Sequence, residues 1–166
     1  MAQIQLKGSP INTSGTLPPI GSQAPDFKLT TAELTGKSLK DFAGQKVVLN
    51  IFPSIDTGIC ATAIRKFNQE ASSLVGTVVV GISKDSPFAL RRFCGAEGID
   101  KVITTSLIRD DAFGTAYGVR IMDGGMEGMM SRAVVILNET GKVIYTEQVP
   151  EIGQEPNYEA AFKAIK

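Results

Sequence analysis

The hydrophobic positions of the chain form short runs of two kinds. Residues 47–52 and 77–83 are apolar almost throughout, which is typical of strands buried on both faces of a parallel sheet. Between them, over residues 59–74, apolar side chains recur every three or four positions and predict an amphipathic helix. A strand, a helix and a second such strand predict a β-α-β unit, whose connection is expected to be right-handed.

Weaker patterns of the same two kinds cover the rest of the chain. Residues 4–6 and the segment from Ile11 onward flank a turn and predict a short N-terminal hairpin, and alternation at Phe27 and Leu29 predicts another short strand. The remaining predicted elements are helical turns around Leu39 and Phe42, helices at 87–95, 110–117 and 156–165, a strand at 101–107, and an antiparallel hairpin at 133–137 and 143–145. Together they predict an α/β fold with a mixed central sheet flanked by helices. We expect one domain over residues 1–166, with residues 1–20 as an N-terminal hairpin extension.

Composition narrows the class of protein. The chain carries 17 basic and 17 acidic residues, so it lacks the charge excess that binds nucleic acid or an anionic membrane. The N-terminus lacks the basic start and apolar core of a signal peptide, and no apolar run approaches membrane-spanning length. We therefore expect a cytoplasmic protein with no nucleic-acid or membrane partner.

Of all the features of the composition, the absence of histidine excludes the largest number of catalytic mechanisms and metal sites. Without it there is no histidine base for a hydrolase and no histidine ligand for zinc or haem. The 2 cysteines are too few for the usual structural zinc site or for a disulfide-rich secreted scaffold. We expect no metal and no cofactor, and a reactive cysteine here must be activated by a cation, by hydroxyl groups or by backbone dipoles.

Cys60 is placed where such activation is available. Pro53 ends the apolar strand, and Asp56-Thr57-Gly58 has the composition of a turn with a helix N-cap. Cys60 then falls in the first helical turn, where unpaired N–H groups and the helix dipole favour an anion such as a thiolate. Alternatively, Cys60 is a small apolar residue packed at the start of a helix. Its position alone does not decide between a reactive and a structural cysteine.

The residues around Cys60 resemble a known family. Pro53-x-x-x-Thr57-x-x-Cys60 matches the Pro-x-x-x-Thr/Ser-x-x-Cys motif of peroxiredoxins, and the run from Asn50 to Thr62 resembles their bacterial thiol peroxidase branch. The string Arg65-Lys66-Phe67-Asn68 continues that resemblance, and Ala-Pro-Asp-Phe at 24–27 also occurs in peroxiredoxins. The resemblance covers nearly the whole chain. It implies a thioredoxin-like fold and a thiol-dependent peroxidase in which Cys60 is the peroxidatic cysteine.

The same resemblance assigns the other site residues. The segment 91–99 resembles the one that carries the resolving cysteine, which here is Cys94, and Ser-Arg-Ala-Val-Val-Ile matches the place of the active-site arginine, here Arg132. Thr57 and Arg132 would hold the peroxide, and Pro53 would shield the oxidised sulfur from water. The residues alone leave other interpretations open. Cys94 is then a second buried cysteine unrelated to Cys60, and Arg132 is a surface residue that caps a strand. Arg65, Arg91 and Arg92 are predicted to lie on solvated faces.

The resemblance also implies the reaction partners. These are a hydroperoxide substrate, thioredoxin as the reductant and a second copy of the chain in a homodimer, in a role of antioxidant defence. Organic hydroperoxides are the expected preference, and a set of apolar residues is compatible with it: Ile55, Ile59, Met126, Met129 and Met130.

The chain departs from the family pattern at two places, and neither is the peroxidatic or the resolving cysteine. Gly81 stands where many members carry an extra cysteine, and Asp123-Gly124-Gly125-Met126 replaces the usual Asp-Gly-Pro-Leu at the start of the methionine-rich loop 124–130.

Two other functions fit a fold of this class. A disulfide reductase or isomerase needs two cysteines spaced Cys-x-x-Cys, and the only cysteine near this helix start is Cys60. A non-catalytic binding or chaperone-like domain would be favoured by loss of Cys60, Thr57 or Arg132, and all three are present.

Overall fold

A computed structural model describes residues 1–165, which form two sheets and four α-helices. The strands are β1 (Ala2–Leu6), β2 (Ser9–Thr13), β3 (Leu29–Thr31), β4 (Gly36–Lys37), β5 (Lys46–Ile51), β6 (Thr77–Ser83), β7 (Val102–Ser106), β8 (Ala133–Leu137) and β9 (Val143–Gln148). The α-helices are α1 (Gly58–Ala71), α2 (Pro87–Glu97), α3 (Phe113–Ala116) and α4 (Tyr158–Ile165), and a 3-10 helix spans Leu39–Phe42.

The main sheet is mixed, as the sequence predicts. Its seven strands have the order β4-β3-β7-β6-β5-β8-β9. Strands β5, β6 and β7 are parallel, whereas β8 is antiparallel to β5 and β3 is antiparallel to β7. The predicted β-α-β unit is therefore confirmed as β5-α1-β6, at the centre of the sheet.

Side chains of β5 alternate between two hydrophobic clusters, one on each face of the sheet. Val47, Leu49 and Ile51 belong to the cluster beneath α3 and the 3-10 helix. Val48 belongs to the other cluster, which takes up the apolar faces of α1, α2 and α4. Both faces are thus covered, and this explains why β5 is apolar apart from Lys46 and Asn50.

The predicted N-terminal hairpin is present and packs beside the main sheet. Strands β1 and β2 pair antiparallel, and Ile4 and Ile11 form a small buried cluster with Ile121 and Ile152. The chain then runs past Gly118, and the Ser14 N–H donates to the Arg120 carbonyl at 2.8 Å. The hairpin is thereby attached to the two loops that flank β8 and β9.

The short strand predicted at Phe27 and Leu29 was misplaced, because β3 begins at Leu29 and Phe27 lies before it. The Asp26 carboxylate accepts the Phe27 N–H at 2.8 Å, and Asp110 accepts the Lys28 N–H at 2.7 Å. These backbone groups are therefore bound by carboxylates instead of by a neighbouring strand. Apolar alternation does not reveal such side-chain partners.

Several other elements also differ from prediction at their ends; α4, for example, begins at Tyr158 and not at residue 156. Helix α2 continues past 95 to Glu97 and ends at Gly98, whose φ of 66° is the left-handed conformation that favours glycine. Strand β9 extends to Gln148, beyond the predicted residue 145. Helix α3 begins only at Phe113, because the Asp110 side chain accepts the Ala112 and Phe113 N–H groups and forms a turn there.

Candidate active site

Cys60 is the third residue of α1, in the first turn as predicted. Thr57 is the N-cap, and its Oγ1 accepts the Cys60 N–H at 3.3 Å while its hydroxyl donates to the Ser54 carbonyl at 3.2 Å. Pro53 is buried, and the strand ends two residues before it, at Ile51. The helix start is therefore fixed by the residues that the sequence predicts, with the Cys60 side chain fully buried.

Arg132 reaches the sulfur of Cys60 from the other side. Its Nη1 donates to Cys60 Sγ at 3.2 Å, although the two residues are 72 positions apart in sequence. Only 2% of Arg132 is exposed, so the interpretation of this residue as a surface cap is wrong. A buried hydrogen bond from a charged guanidinium is stronger than one between two neutral groups.

A second contact orients the Arg132 side chain. Its Nε donates to the Ile152 carbonyl at 2.8 Å, in the loop between β9 and α4. Within residues 1–165 no carboxylate lies within ion-pair distance of Arg132, whereas Arg65 and Arg92 each have one. The sulfur of Cys60 is thus the group in contact with Arg132 that can carry a compensating charge.

Cys94 lies in the last turn of α2 and is half-buried. Its Sγ is 3.3 Å from Thr104 Oγ1 on β7, in hydrogen-bond contact. Burial raises the pKa of the Cys94 thiol, the contact with Thr104 lowers it, and the nearby Glu33 carboxylate raises it; the pKa is raised overall. The Cys94 thiol is therefore neutral at neutral pH.

The two cysteines share one side of the sheet but are not joined. Both are free thiols, and both pack into the hydrophobic cluster formed with α1, α2 and α4. The structure therefore brings Cys60, Thr57 and Arg132 into direct contact, and leaves Cys94 in the same layer with a different hydrogen-bond partner.

A surface pocket of about 320 Å³ opens beside Thr57 and Arg132. It is lined by Thr57 and Arg132, by residues of the hairpin turn and by the loop after β9, and its apolar members are Leu6, Ile59, Met126 and Ile152. The Glu151 carboxylate holds the hairpin turn in place by accepting the Lys7 and Gly8 N–H groups at 3.0 and 3.1 Å.

Of the five apolar residues connected with substrate preference, two line this pocket, Ile59 and Met126. Ile55 and Met130 are instead buried in the core, and Met129 is partly exposed elsewhere. Another cavity, of about 420 Å³, lies at the far end of β5 and β8 and contains neither cysteine.

Comparison with known proteins decides the family. Residues 19–162 match the family model described as Redoxin. Proteins described as thiol peroxidase from Mycobacterium bovis and Mycobacterium tuberculosis are 53% identical over 165 residues, 99% of this chain and 99% of theirs. The chain belongs to the thiol peroxidases of the redoxin family.

Solved structures support the thioredoxin-like fold of this thiol peroxidase. A peroxiredoxin-like protein from Aquifex aeolicus superposes with a TM-score of 0.94 at 34% identity, covering 99% of this chain and 96% of that one. A thiol peroxidase from Chromobacterium violaceum has a TM-score of 0.90 at 21% identity, covering 97% and 93%, and this likeness concerns the fold alone. The predicted fold class is confirmed, and the enzyme is an oxidoreductase of the peroxiredoxin type.

Gly81 is explained by packing in this thiol peroxidase. A Cβ at this position would lie 2.9 Å from Ile64 Cδ1 and 3.3 Å from Phe52 Cε1, so a larger residue requires both side chains to shift. The space beside Gly81 is taken by the Ile64 side chain of α1 and by the Phe52 ring.

The three other arginines considered for the site, Arg65, Arg91 and Arg92, lie on exposed faces, as predicted. Arg65 forms an exposed bidentate pair with Glu97 on α2, Arg92 pairs with Asp56, and Arg91 is exposed. Within the described part of the chain, no three histidine, cysteine or carboxylate side chains cluster as metal ligands, and no helix is long and apolar enough to cross a membrane.

The sequence interpretation missed three parts of the site. They are the Ile152 carbonyl that binds Arg132, the hairpin turn that lines the pocket, and Asp85, which binds the segment before α1. A carbonyl leaves no trace in residue type, and a hairpin turn gives no sign of what it packs against. Asp85 lies two residues after the end of β6, which is parallel to β5, and this position was the one available signal.

Thr57 offers a direct test of how the helix start is built. We expect Thr57→Val, which keeps the side-chain shape but removes the hydroxyl, to lower the free energy of unfolding by about 1 kcal/mol. Oxidation of Cys60 should slow as well, because the first turn of α1 becomes less ordered. Urea unfolding and stopped-flow oxidation measure the two effects. Thr57→Ser is the matched control and should retain both properties; equal losses in the two variants would exclude a role for the hydroxyl.

Proposed function

We propose that this thiol peroxidase reduces hydrogen peroxide and organic hydroperoxides through Cys60, forms an intramolecular disulfide with Cys94, and is recycled by thioredoxin. The observation that carries the proposal is the 3.2 Å contact between Arg132 Nη1 and Cys60 Sγ in a buried site. A buried guanidinium without a negative partner is costly, and the Cys60 thiolate supplies that partner. A thiolate is also the nucleophilic form of cysteine.

In the first step the Cys60 thiolate attacks the terminal oxygen of the hydroperoxide. The O–O bond breaks, a sulfenic acid forms on Cys60, and the departing alkoxide or hydroxide takes a proton to become an alcohol or water. Arg132 contacts the sulfur, and the Thr57 hydroxyl contacts the Cys60 N–H. Both would bind the peroxide and stabilise the negative charge on the leaving oxygen. The buried Pro53 would limit access of water to the oxidised sulfur.

In the second step Cys94 loses its proton and attacks the sulfur of Cys60. An S–S bond forms, and hydroxide leaves from the sulfenic acid and takes up a proton as water. The raised pKa of Cys94 supports this order of roles, because a neutral thiol does not compete with Cys60 for the peroxide. A dithiol reductant then reopens the disulfide by exchange, and the family resemblance favours thioredoxin.

The pocket beside Arg132 supports a preference for organic hydroperoxides. Its apolar residues would contact the organic group while the peroxide end reaches Cys60. The proposal includes a homodimer of single-domain chains in the cytoplasm, acting in antioxidant defence, as the resemblance implies.

The test follows the mass of the reduced protein after one equivalent of cumene hydroperoxide, without added reductant. We expect the wild type to lose two hydrogens, Cys60→Ser to stay unchanged, and Cys94→Ser to gain one oxygen or form a linked dimer. A wild type that keeps its reduced mass would contradict the proposal. A Cys60→Ser variant that still consumes peroxide would move the reactive thiol to Cys94.

A further inference from the structure

The proposed disulfide requires a movement that the resting structure opposes. Cys60 Sγ accepts a hydrogen bond from Arg132, and Cys94 Sγ contacts Thr104. Thr104 lies on β7 and Arg132 directly precedes β8, and the order β7-β6-β5-β8 separates these strands by three spacings, about 14 Å. A disulfide needs its two Cα atoms within about 7 Å of each other. The two sulfurs are not bonded to each other and contact partners on separate segments, so we expect at least one cysteine to leave its partner when the disulfide forms. For Cys60 this would open the start of α1.

The segment before α1 is held closed by one carboxylate. Asp85 Oδ2 accepts the Ile55 N–H at 2.7 Å, and Asp85 Oδ1 accepts the Ser54 hydroxyl at 2.8 Å. The Ser83 hydroxyl donates to Asp85 Oδ2 at 2.7 Å and fixes the carboxylate at the end of β6. Residues 54–57, which include the N-cap of α1, are thus tied to the connection that leads into α2.

This tie joins the two segments that carry the cysteines. Asp85 lies between β6 and α2, the helix of Cys94, and it binds the loop between β5 and α1, the helix of Cys60. Two further pairs join these segments, Asp56 with Arg92 at 3.3 Å and Arg65 with Glu97 at 2.9 Å, but both lie between exposed side chains, and such pairs contribute little. Hydrogen bonds to a partly buried carboxylate are the stronger kind.

We propose that Asp85 is a positioning residue that controls how often the Cys60 segment opens, and thereby whether the Cys60 sulfenic acid becomes a disulfide or is overoxidised. The inference rests on the proposed function. In the closed state the sulfenic acid remains beside Arg132, where a second hydroperoxide converts it to sulfinic acid and is itself reduced to alcohol. In the open state Cys94 reaches the sulfur and displaces hydroxide. Weakening the tie shifts the balance towards the disulfide.

Asp85→Asn tests this proposal. The carboxylate accepts the Ile55 N–H with one oxygen and the Ser54 hydroxyl with the other, whereas the asparagine amide has a single oxygen and cannot accept both. Reduced protein receives increasing excesses of cumene hydroperoxide without reductant, and intact mass gives the disulfide and sulfinic fractions. We expect the peroxide concentration that overoxidises half of the protein to rise about tenfold, the factor for one lost hydrogen bond to a charged group. Asp56→Asn, in the same loop, is the matched control and should match the wild type.

A second variant keeps the test decisive if Asp85→Asn does not fold. Ser54→Ala removes one of the two loop contacts and should raise the same concentration by a smaller factor, about threefold. Unchanged values in the folded variants would overturn the inference while leaving the proposed function intact, and would indicate that α2 opens instead. A general defect would slow both reactions of the sulfenic acid and leave their ratio unchanged. A wild type that never forms a disulfide would overturn both proposals.

Discussion

Replacing Arg132 with methionine is expected to slow oxidation of Cys60 by roughly 10²- to 10³-fold. Methionine occupies a similar volume but carries no charge and no donor, so both the contact to Cys60 Sγ and the one to the Ile152 carbonyl are lost. The buried Cys60 sulfur is then without the cation that contacts it, and the leaving oxygen is without that donor. Stopped-flow oxidation and the ultraviolet absorbance of the thiolate measure the rate and the charge state separately.

Arg132→Lys and Arg65→Met are the comparisons for this result. Lysine restores a charge but cannot make both of the arginine contacts, so we expect partial recovery of the rate. Arg65→Met removes an exposed arginine whose partner is Glu97, and it should react like the wild type. Equal rates for Arg132→Met and Arg65→Met would show that charge at position 132 has no part in the chemistry.

Gly118→Ala is expected to cause the largest loss of stability among single alanine substitutions at glycine. Gly118 has a φ of +70°, and a Cβ there would clash with the backbone oxygen of Thr16 and lie 2.6 Å from its carbonyl carbon. Left-handed strain costs about 1–2 kcal/mol, and displacement of the segment that follows the hairpin brings the expected total to about 3 kcal/mol or more. Thermal unfolding should show a decrease in Tm of roughly 6–12 °C.

Gly76→Ala separates strain from the clash. Gly76 has a nearly equal φ of +72°, but a Cβ there would meet no atom within 4 Å, so only the strain is added. We expect a loss of about 1–2 kcal/mol for this control. If both variants lose the same stability, close packing of the residue 16 backbone on Gly118 contributes nothing.

Much of the candidate site could be predicted because it is local in sequence. Pro53, Thr57 and Cys60 lie within one strand-to-helix connection, and the rules for strand ends, N-caps and first helical turns place them correctly. The misplaced strand at Phe27 shows the limit of the same rules. There the backbone is bound by carboxylates of Asp26 and Asp110, and hydrophobic alternation contains no information on such contacts.

Arg132 shows what residue patterns leave open. On pattern alone it resembles a charged residue at the start of a strand, and only the family resemblance placed it at the site. Its burial depends on the antiparallel pairing of β8 with β5 and on the loop that supplies the Ile152 carbonyl. These are contacts between segments far apart in sequence, whose positions are set by packing of the whole sheet.

Local patterns along the chain were enough to predict the central β-α-β unit, the mixed α/β architecture, the helix start at Cys60 and, through the lack of histidine, the classes of chemistry that are excluded. Hydrophobic period, turn residues and capping act over a few neighbouring residues, so they can be read directly from the chain. Three contacts could be seen only in the folded molecule: Arg132 donates to Cys60, Asp85 binds the loop before α1, and the hairpin turn lines the pocket. Each of them joins segments that meet only after the sheet has assembled, and no pattern of neighbouring residues specifies which distant segments those are.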